Sequence, residues 1–119
     1  MRKFYFLGTC STCKRILEDL NLGDDFEVRD IKKTPINDHE IKHLRLLSGS
    51  YEALFSKRAV LYKDLGLKEK KLSEEGFKNY ILEHYTFLKR PILVLDETIF
   101  IGNSAKVIQA ALTSLKNEK

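Results

Sequence analysis

The 119-residue sequence predicts a single α/β domain built on a four-stranded mixed sheet. The first observation behind this prediction is a strand, helix and strand pattern within residues 1–35. The second is a strand, strand and helix pattern within residues 89–119. Between them, residues 36–88 have helical apolar spacing throughout. We therefore expect a small α/β core that is interrupted by a helical insertion.

The composition is that of a globular protein and argues against several other classes. With 43% hydrophobic and 32% charged residues, the chain is expected to be neither disordered nor membrane-spanning. No apolar run approaches the ~20 residues that cross a bilayer, and no signal peptide is predicted. We expect a cytoplasmic protein with no membrane partner and no direct nucleic-acid partner. The net charge of +4 favours a solvated surface, with weak attraction to an acidic partner as the alternative.

The first strand and helix frame the segment on which the functional prediction depends. Residues 2–7 contain an apolar run and are predicted to form a buried strand. A helix is predicted over residues 11–21 and is expected to end at Gly23. A second strand is predicted over residues 26–31, where apolar and polar residues alternate. The buried stripe of the helix follows helical spacing and comprises Cys13, Ile16, Leu17 and Leu20.

The helical middle of the chain carries recognisable start and stop signals. Asn37 and Glu40 are spaced as a capping box, which opens a helix that runs to Leu47. Ser73 is predicted to open another helix. Two short helical pieces are predicted between them, over residues 51–55 and over residues 59–65, the second ending at Gly66.

The end of the chain returns to the sheet. Strands are predicted over residues 92–95 and 98–101, joined as a hairpin by Asp96 and Glu97. This connection lacks the glycine that two-residue turns favour, so the sequence leaves its type open. A final helix is predicted over residues 104–115. Its expected buried residues are Val107, Ile108, Ala111, Leu112 and Leu115.

The two cysteines of the chain, Cys10 and Cys13, lie where the first strand gives way to the first helix. Cys10 is expected at the start of the helix, while Cys13 falls on its buried stripe. The N-terminus of a helix carries a partial positive charge that favours a thiolate, and Lys14 adds a positive charge. The pattern therefore predicts that Cys10 attacks and that Cys13 resolves by forming a Cys10–Cys13 disulfide.

Two other interpretations of the cysteine pair remain open. The cysteines could be small buried hydrophobic residues with no chemistry. They could also hold zinc, which needs about four ligands. The three histidines are not grouped as ligands, except that His39 and His43 are four residues apart, while His84 lies elsewhere. Thiol redox chemistry is favoured over both.

A second segment of interest is Arg90-Pro91, directly before a core strand. If this bond is cis, it forms a tight turn. A turn that faces the cysteine helix would hold Arg90 near Cys10, where it could bind an oxyanion or stabilise the thiolate. Arg58 is expected in solvent unless it turns toward the site. Three hydroxyl residues could cap the helix or line an anion site, namely Thr9, Ser11 and Thr12.

These segments together resemble a known family in their order and spacing. The segments that carry the resemblance are Tyr5, Cys10-Ser11-Thr12-Cys13-Lys14, Tyr62-Lys63-Asp64-Leu65-Gly66-Leu67 and Lys89-Arg90-Pro91-Ile92-Leu93-Val94. The chain resembles the family of glutaredoxin-coupled arsenate reductases and Spx regulators over essentially its whole length. The resemblance implies a thioredoxin/glutaredoxin-like core at residues 1–35 and 89–119, a helical insertion at residues 36–88, and a cis bond at Pro91.

The resemblance also implies which residues bind the substrate, and here the sequence departs from the reductase branch. In that branch three arginines hold the oxyanion, and one of them matches Arg90. The second position holds Ser56, with Arg58 two residues away, and the third holds Gly102. A histidine four residues before the nucleophile corresponds to Phe6. Loss of two charge-assisted contacts of roughly 1.5–3 kcal/mol each predicts weak arsenate binding.

Two functions follow from the resemblance, beside a third hypothesis of an unused motif. The first is an arsenate reductase-like oxidoreductase in which Cys10, Cys13 and Arg90 carry the chemistry. It would hold no bound cofactor and would take electrons from glutathione and glutaredoxin or from thioredoxin. The second is a Spx-like redox-sensing regulator that binds RNA polymerase. The candidate substrate-binding residues are Thr9, Ser11, Thr12, Lys14, Arg58 and Pro91.

Overall fold

A mixed sheet organises the first of two units in the computed structural model, which describes residues 1–118. This unit comprises residues 1–34 together with the chain from residue 90 onward, and the second unit comprises residues 35–89. The described strands are β1 (Arg2–Phe6), β2 (Glu27–Asp30), β3 (Ile92–Leu95) and β4 (Thr98–Ile101). The described helices are α1 (Ser11–Leu20), α2 (Asp38–Ser48), α3 (Val60–Asp64), α4 (Glu74–Glu83) and α5 (Ala105–Asn117).

The strand order across the sheet is β2, β1, β3 and β4. Strand β1 runs parallel to β2 and antiparallel to β3, and β3 pairs antiparallel with β4. The predicted α/β class and four-stranded mixed sheet are therefore confirmed for the part of the chain that the structure describes. The assignment of the whole chain to one domain with an insertion stays a prediction.

One face of the sheet forms a hydrophobic core with α1 and α5. The buried members of this core are Phe4, Ile16, Leu20, Phe26, Leu93, Leu95 and Ala111. Helix α5 buries fewer side chains than its apolar stripe predicted. Of the residues predicted to be buried, Ala111 alone is fully buried. The other predicted residues of that stripe are half-buried, and Ile108, Leu112 and Leu115 lie at the margin of the core.

Two chain reversals in this unit use residues other than glycine. Asn21 ends α1 in the left-handed conformation, with φ 47°, so the predicted end at Gly23 is wrong. Asp96 occupies the left-handed region with φ 58° in the hairpin between β3 and β4. Short polar side chains tolerate this conformation because they bond locally. The carboxylate of Asp96 also pairs with the Arg2 guanidinium at 3.1 Å. The backbone N–H of Asp96 donates to the Met1 carbonyl at 2.8 Å.

The second unit confirms the predicted capping box. The Glu40 N–H donates to the Asn37 side-chain oxygen at 2.8 Å, and the Asn37 N–H donates to the Glu40 carboxylate at 3.1 Å. The Ser73 hydroxyl likewise accepts from the Gly76 N–H at 3.1 Å, which places Ser73 at the start of α4 as predicted. Sequence patterns missed the short 3-10 turns at Leu67–Glu69 and Tyr85–Phe87, because three residues are too few to show a period.

The predicted short helical pieces are present in altered form. The first is a 3-10 turn at Glu52–Leu54, and the second is α3, followed by Gly66 with φ 66°. Phe55 then packs at the centre of an aromatic cluster, with its ring centroid 4.9 Å from that of Phe77 and 5.2 Å from that of Phe87. No helix within residues 1–118 is long and apolar enough to cross a membrane.

Candidate active site

Cys10 is the residue that caps the N-terminus of α1. Its backbone is extended, and its sulfur accepts a hydrogen bond from the Cys13 N–H at 3.4 Å. The Cys10 N–H donates to the Leu7 carbonyl at 2.9 Å, and the Cys10 carbonyl accepts from the Lys14 N–H at 3.1 Å. The sulfur thus lies over the first turn of α1, where backbone N–H groups lack helical partners and the partial charge is positive.

The capping role belongs to the Cys10 thiol rather than to the predicted hydroxyl residues. Thr9 lies before the cap, while Ser11 and Thr12 lie in the first turn of α1. Thr9, Ser11 and the neighbouring Lys14 are exposed, and Thr12 is half-buried. Their contribution to substrate binding stays a prediction.

The two thiols differ in accessibility across this single turn. Cys10 is half-buried, whereas 1% of Cys13 is exposed. Both are free thiols in the structure. The difference follows from helical phase, since Cys13 lies on the same face as the buried residues Ile16 and Leu20. An external reactant therefore has access to Cys10 before it has access to Cys13.

The electrostatic environment also separates the two thiols. Burial raises the pKa of Cys10, but hydrogen bonds from the Cys13 N–H, the Cys13 thiol and the Thr12 N–H, together with the charge of Arg90, outweigh it and lower that pKa below its ordinary value. Burial, with a smaller contribution from the neighbouring Cys10 sulfur, raises the pKa of Cys13 to about 11, against the lowering effects of the Leu7 backbone and the charge of Arg90. When the pair loses one proton, the negative charge is therefore favoured on Cys10 and the remaining proton on Cys13.

The Arg90–Pro91 peptide bond is cis, which confirms what the family resemblance implied. Pro91 is buried, and its carbonyl accepts a hydrogen bond from the Gly102 N–H at 2.9 Å. Arg90 is half-buried, and after burial and the local hydrogen bonds its charge lowers the pKa of both thiols. The structure thus brings Arg90 into electrostatic contact with the cysteine pair.

Arg58 belongs to the second unit and is exposed in the turn before α3. Its contribution to the site stays a prediction. Among residues 1–118, no three side chains of histidine, cysteine, aspartate or glutamate are grouped closely enough to hold a metal ion.

Sequence reasoning missed Asp30, the last residue of β2. In the register of the sheet Asp30 pairs with Phe6, and its carboxylate lies against Gly8, two residues before Cys10. Burial raises the pKa of this carboxyl, but hydrogen bonds from the Lys32 and Gly8 N–H groups and the charge of Lys33 lower it overall. A glycine just before the cysteine segment was the one signal in the sequence that could have indicated a close approach at this point.

Comparisons with known proteins give consistent matches. A model described as ArsC family matches residues 5–111. The chain is 33% identical over 92 residues to an arsenate reductase from Yersinia enterocolitica, which covers 76% of this chain and 65% of that protein. It is 27% identical over 112 residues to the global transcriptional regulator Spx 2 of Bacillus anthracis, which covers 91% of this chain and 84% of that protein.

A solved structure shows the same fold. The arsenate reductase from Vibrio cholerae superimposes with a TM-score of 0.76 at 24% identity, covering 94% of this chain and 95% of that chain. The match to the Yersinia enterocolitica reductase spans slightly less than two thirds of that protein.

Proposed function

Since the chain belongs to the ArsC family, we propose that it is an arsenate reductase-like thiol oxidoreductase in which Cys10 and Cys13 form the redox pair. One observation carries the proposal, namely the division of roles between the two thiols at the start of α1. The more accessible thiol has the lowered pKa, and the buried thiol beside it has the raised pKa. A nucleophile and a resolving thiol need this combination.

The proposed reaction begins with the Cys10 thiolate. It attacks one sulfur of an oxidised disulfide substrate, forms a mixed disulfide with that sulfur, and releases the other sulfur as a thiolate. Cys13 then gives up its proton to the thiolate released in the first step and attacks the Cys10 sulfur, which releases the substrate's remaining thiolate and forms a Cys10–Cys13 disulfide. The substrate has gained two electrons and the cysteine pair has lost two. Glutathione with glutaredoxin, or thioredoxin, then supplies two electrons to reduce the pair.

Arg90 is proposed to stabilise the Cys10 thiolate and any anionic part of the substrate. Its charge already favours the thiolate form of Cys10, after burial and the local hydrogen bonds. With Ser56 and Gly102 at the positions where the reductase branch has arginines, we propose glutathione-type mixed disulfides as better substrates than arsenate. The further proposed binding residues are Thr9, Ser11, Thr12, Lys14, Arg58 and Pro91.

A reductase assay with arsenate and with glutathione mixed disulfides tests the proposal. Cys10→Ser should abolish turnover of every substrate, because it removes the nucleophile. Cys13→Ser should trap a mixed disulfide on Cys10 that is visible by mass, since no internal thiol can displace it. Cys13→Ala is the control for the added hydroxyl. No turnover of either substrate by the wild-type chain with any of the thiol donors would refute the proposal.

A second candidate is a Spx-like redox-sensing regulator that binds RNA polymerase. The observation that favours it is the match to Spx 2 over 84% of that protein, together with the paired cysteines. Pull-down of RNA polymerase by the oxidised protein alone or by the reduced protein alone would support regulation. Cys10→Ser is the matched control, because it cannot form the internal disulfide. Equal recovery in both redox states, or none, would count against this function.

We also propose a cytoplasmic location and a single ArsC-like domain in which residues 36–88 are an insertion. The thiol chemistry favours a reducing compartment, where an oxidised cysteine pair can be regenerated. Limited proteolysis tests the domain assignment, because cleavage in an exposed segment such as residues 68–71 should leave the fragments associated.

A further inference from the structure

We propose that Asp30 is a positioning residue, which holds the turn before α1 through Gly8 and thereby keeps the Cys10 sulfur over the helix N-terminus. The inference builds on the proposed role of Cys10 as the attacking thiol. Asp30 would not touch the substrate, and it would act on the reaction through the backbone that carries Cys10.

The first step of the argument is the closeness of Asp30 to Gly8. A Cβ atom on Gly8 would overlap Oδ2 of Asp30 and would lie 3.2 Å from its Cγ. A side chain at this position would therefore displace either the carboxylate or the turn. The Gly8 N–H also donates a hydrogen bond to the carboxylate. Glycine leaves room here for the carboxylate, which occupies the space that a Cβ would take.

The second step is that Asp30 is itself fixed in place. Its Oδ1 accepts a hydrogen bond from the Lys32 N–H at 3.0 Å, and its backbone carbonyl accepts from the Thr34 N–H at 2.9 Å. The next residue, Ile31, donates its N–H to the Phe6 carbonyl at 2.9 Å. The carboxylate is thus attached to the pairing of β1 with β2 rather than to a free loop.

The third step connects Gly8 to the Cys10 sulfur. Gly8 lies inside the turn that the Cys10 N–H closes by donating to the Leu7 carbonyl at 2.9 Å. The Cys10 side chain then reaches the Cys13 N–H at 3.4 Å. A shift of the turn would lengthen this contact, and hydrogen bonds weaken steeply with poor geometry. The Asp30 carboxylate therefore contributes to the alignment on which a reactive thiolate depends.

Replacement of Asp30 could act on Cys10 through alignment or through charge, and these two effects change thiolate formation at Cys10 in opposite directions. The charged or titratable neighbours are Lys33 at the carboxylate, and Cys13 and Arg90 at the thiol. Removal of the negative charge of Asp30 would by itself favour the Cys10 thiolate. Loss of alignment would disfavour that thiolate, because its N–H partners would be weakened.

The test follows alkylation of Cys10 by iodoacetamide in the reduced full-length chain, with the rate measured by peptide mass across a pH series. In Asp30→Asn and Asp30→Ala the midpoint of the rate profile should move to higher pH. At any fixed pH below the midpoint, the rate should fall about tenfold for every pH unit of that movement. Asp24→Asn is the matched control, since Asp24 is an exposed carboxylate before β2, and its profile should equal that of the wild type.

A double-mutant cycle separates positioning from general damage to the fold. Gly8→Ala should raise the midpoint on its own, because its Cβ meets the Asp30 carboxylate. In an Asp30→Ala background the same substitution should raise the midpoint less, because the obstructing carboxylate is gone. Circular dichroism spectra would confirm that each variant is folded.

Three results would overturn the inference: an unchanged midpoint in both Asp30 variants, a midpoint that moves to lower pH, or additive effects in the cycle. The alkylation rate is measured on one thiol without any substrate. A failure to turn over both arsenate and the disulfides would therefore refute the proposed function and leave this result standing.

Discussion

As the pH is raised, Cys13 should become reactive only at a much higher pH than Cys10. Burial raises the pKa of Cys13 to about 11. A thiol with that pKa is a thiolate in roughly one molecule in a thousand at about pH 8, and in roughly one in ten at about pH 10. The rate of Cys13 alkylation should therefore rise about a hundredfold over this interval. Its 1% exposure lowers the absolute rate further.

The assay is competitive labelling with iodoacetamide, followed by digestion and mass measurement of each cysteine's modification. Cys10 should be labelled throughout this range. Burial raises its pKa, but hydrogen bonds and the charge of Arg90 lower that pKa overall. The fully unfolded chain in denaturant is the control, because both cysteines should then react at similar rates. Labelling of Cys13 in the folded chain as fast as Cys10 near pH 8 would refute the division of roles.

Three further outcomes concern stability, each measured by urea denaturation. The free energy of unfolding should fall as the pH rises from about 9 to about 11, because the folded state keeps the Cys13 proton that the unfolded chain releases; an equal fall in Cys13→Ala would contradict this. Asn37→Ala should cost about 1 kcal/mol by removing a helix cap, whereas Glu40→Gln retains the capping box and should cost less. Gly66→Ala should destabilise by ~1–2 kcal/mol because φ is 66°, while Gly76→Ala within α4 should stabilise by ~0.5–1 kcal/mol; the same sign for both would be evidence against the backbone argument.

Much of the fold could be predicted because its signals are local. The bounds of β3 and β4 match the prediction, since each is a short apolar run that ends at a polar turn. The capping box at Asn37 was predicted from its spacing alone. The end of α1 was predicted wrongly at Gly23, because Asn21 also adopts the left-handed conformation and comes first along the chain.

The candidate site also combines features that local sequence patterns predict with contacts that they do not. The unequal burial of Cys10 and Cys13 could be predicted, because it depends on helical phase within one turn. The proximity of Arg90 to the thiols was predicted only on the condition that its turn faces the cysteine helix, since no local pattern relates residues so far apart in sequence. The contact of Asp30 with Gly8 was missed for that reason, and it depends on the register between β1 and β2.

By itself, the sequence determined the order of strands and helices and the placement of Cys10 at a helix N-terminus with Cys13 on its buried face. These features rest on periodicity and capping, which act over a few residues. The tertiary structure alone decided which distant groups surround the Cys10 sulfur. Strand β1 lies between β2 and β3 in the sheet. The Asp30 carboxylate lies at the end of β2, the parallel neighbour of β1, and Arg90 lies just before β3, its antiparallel neighbour. The two groups therefore act on the segment between β1 and α1 from separate parts of the chain.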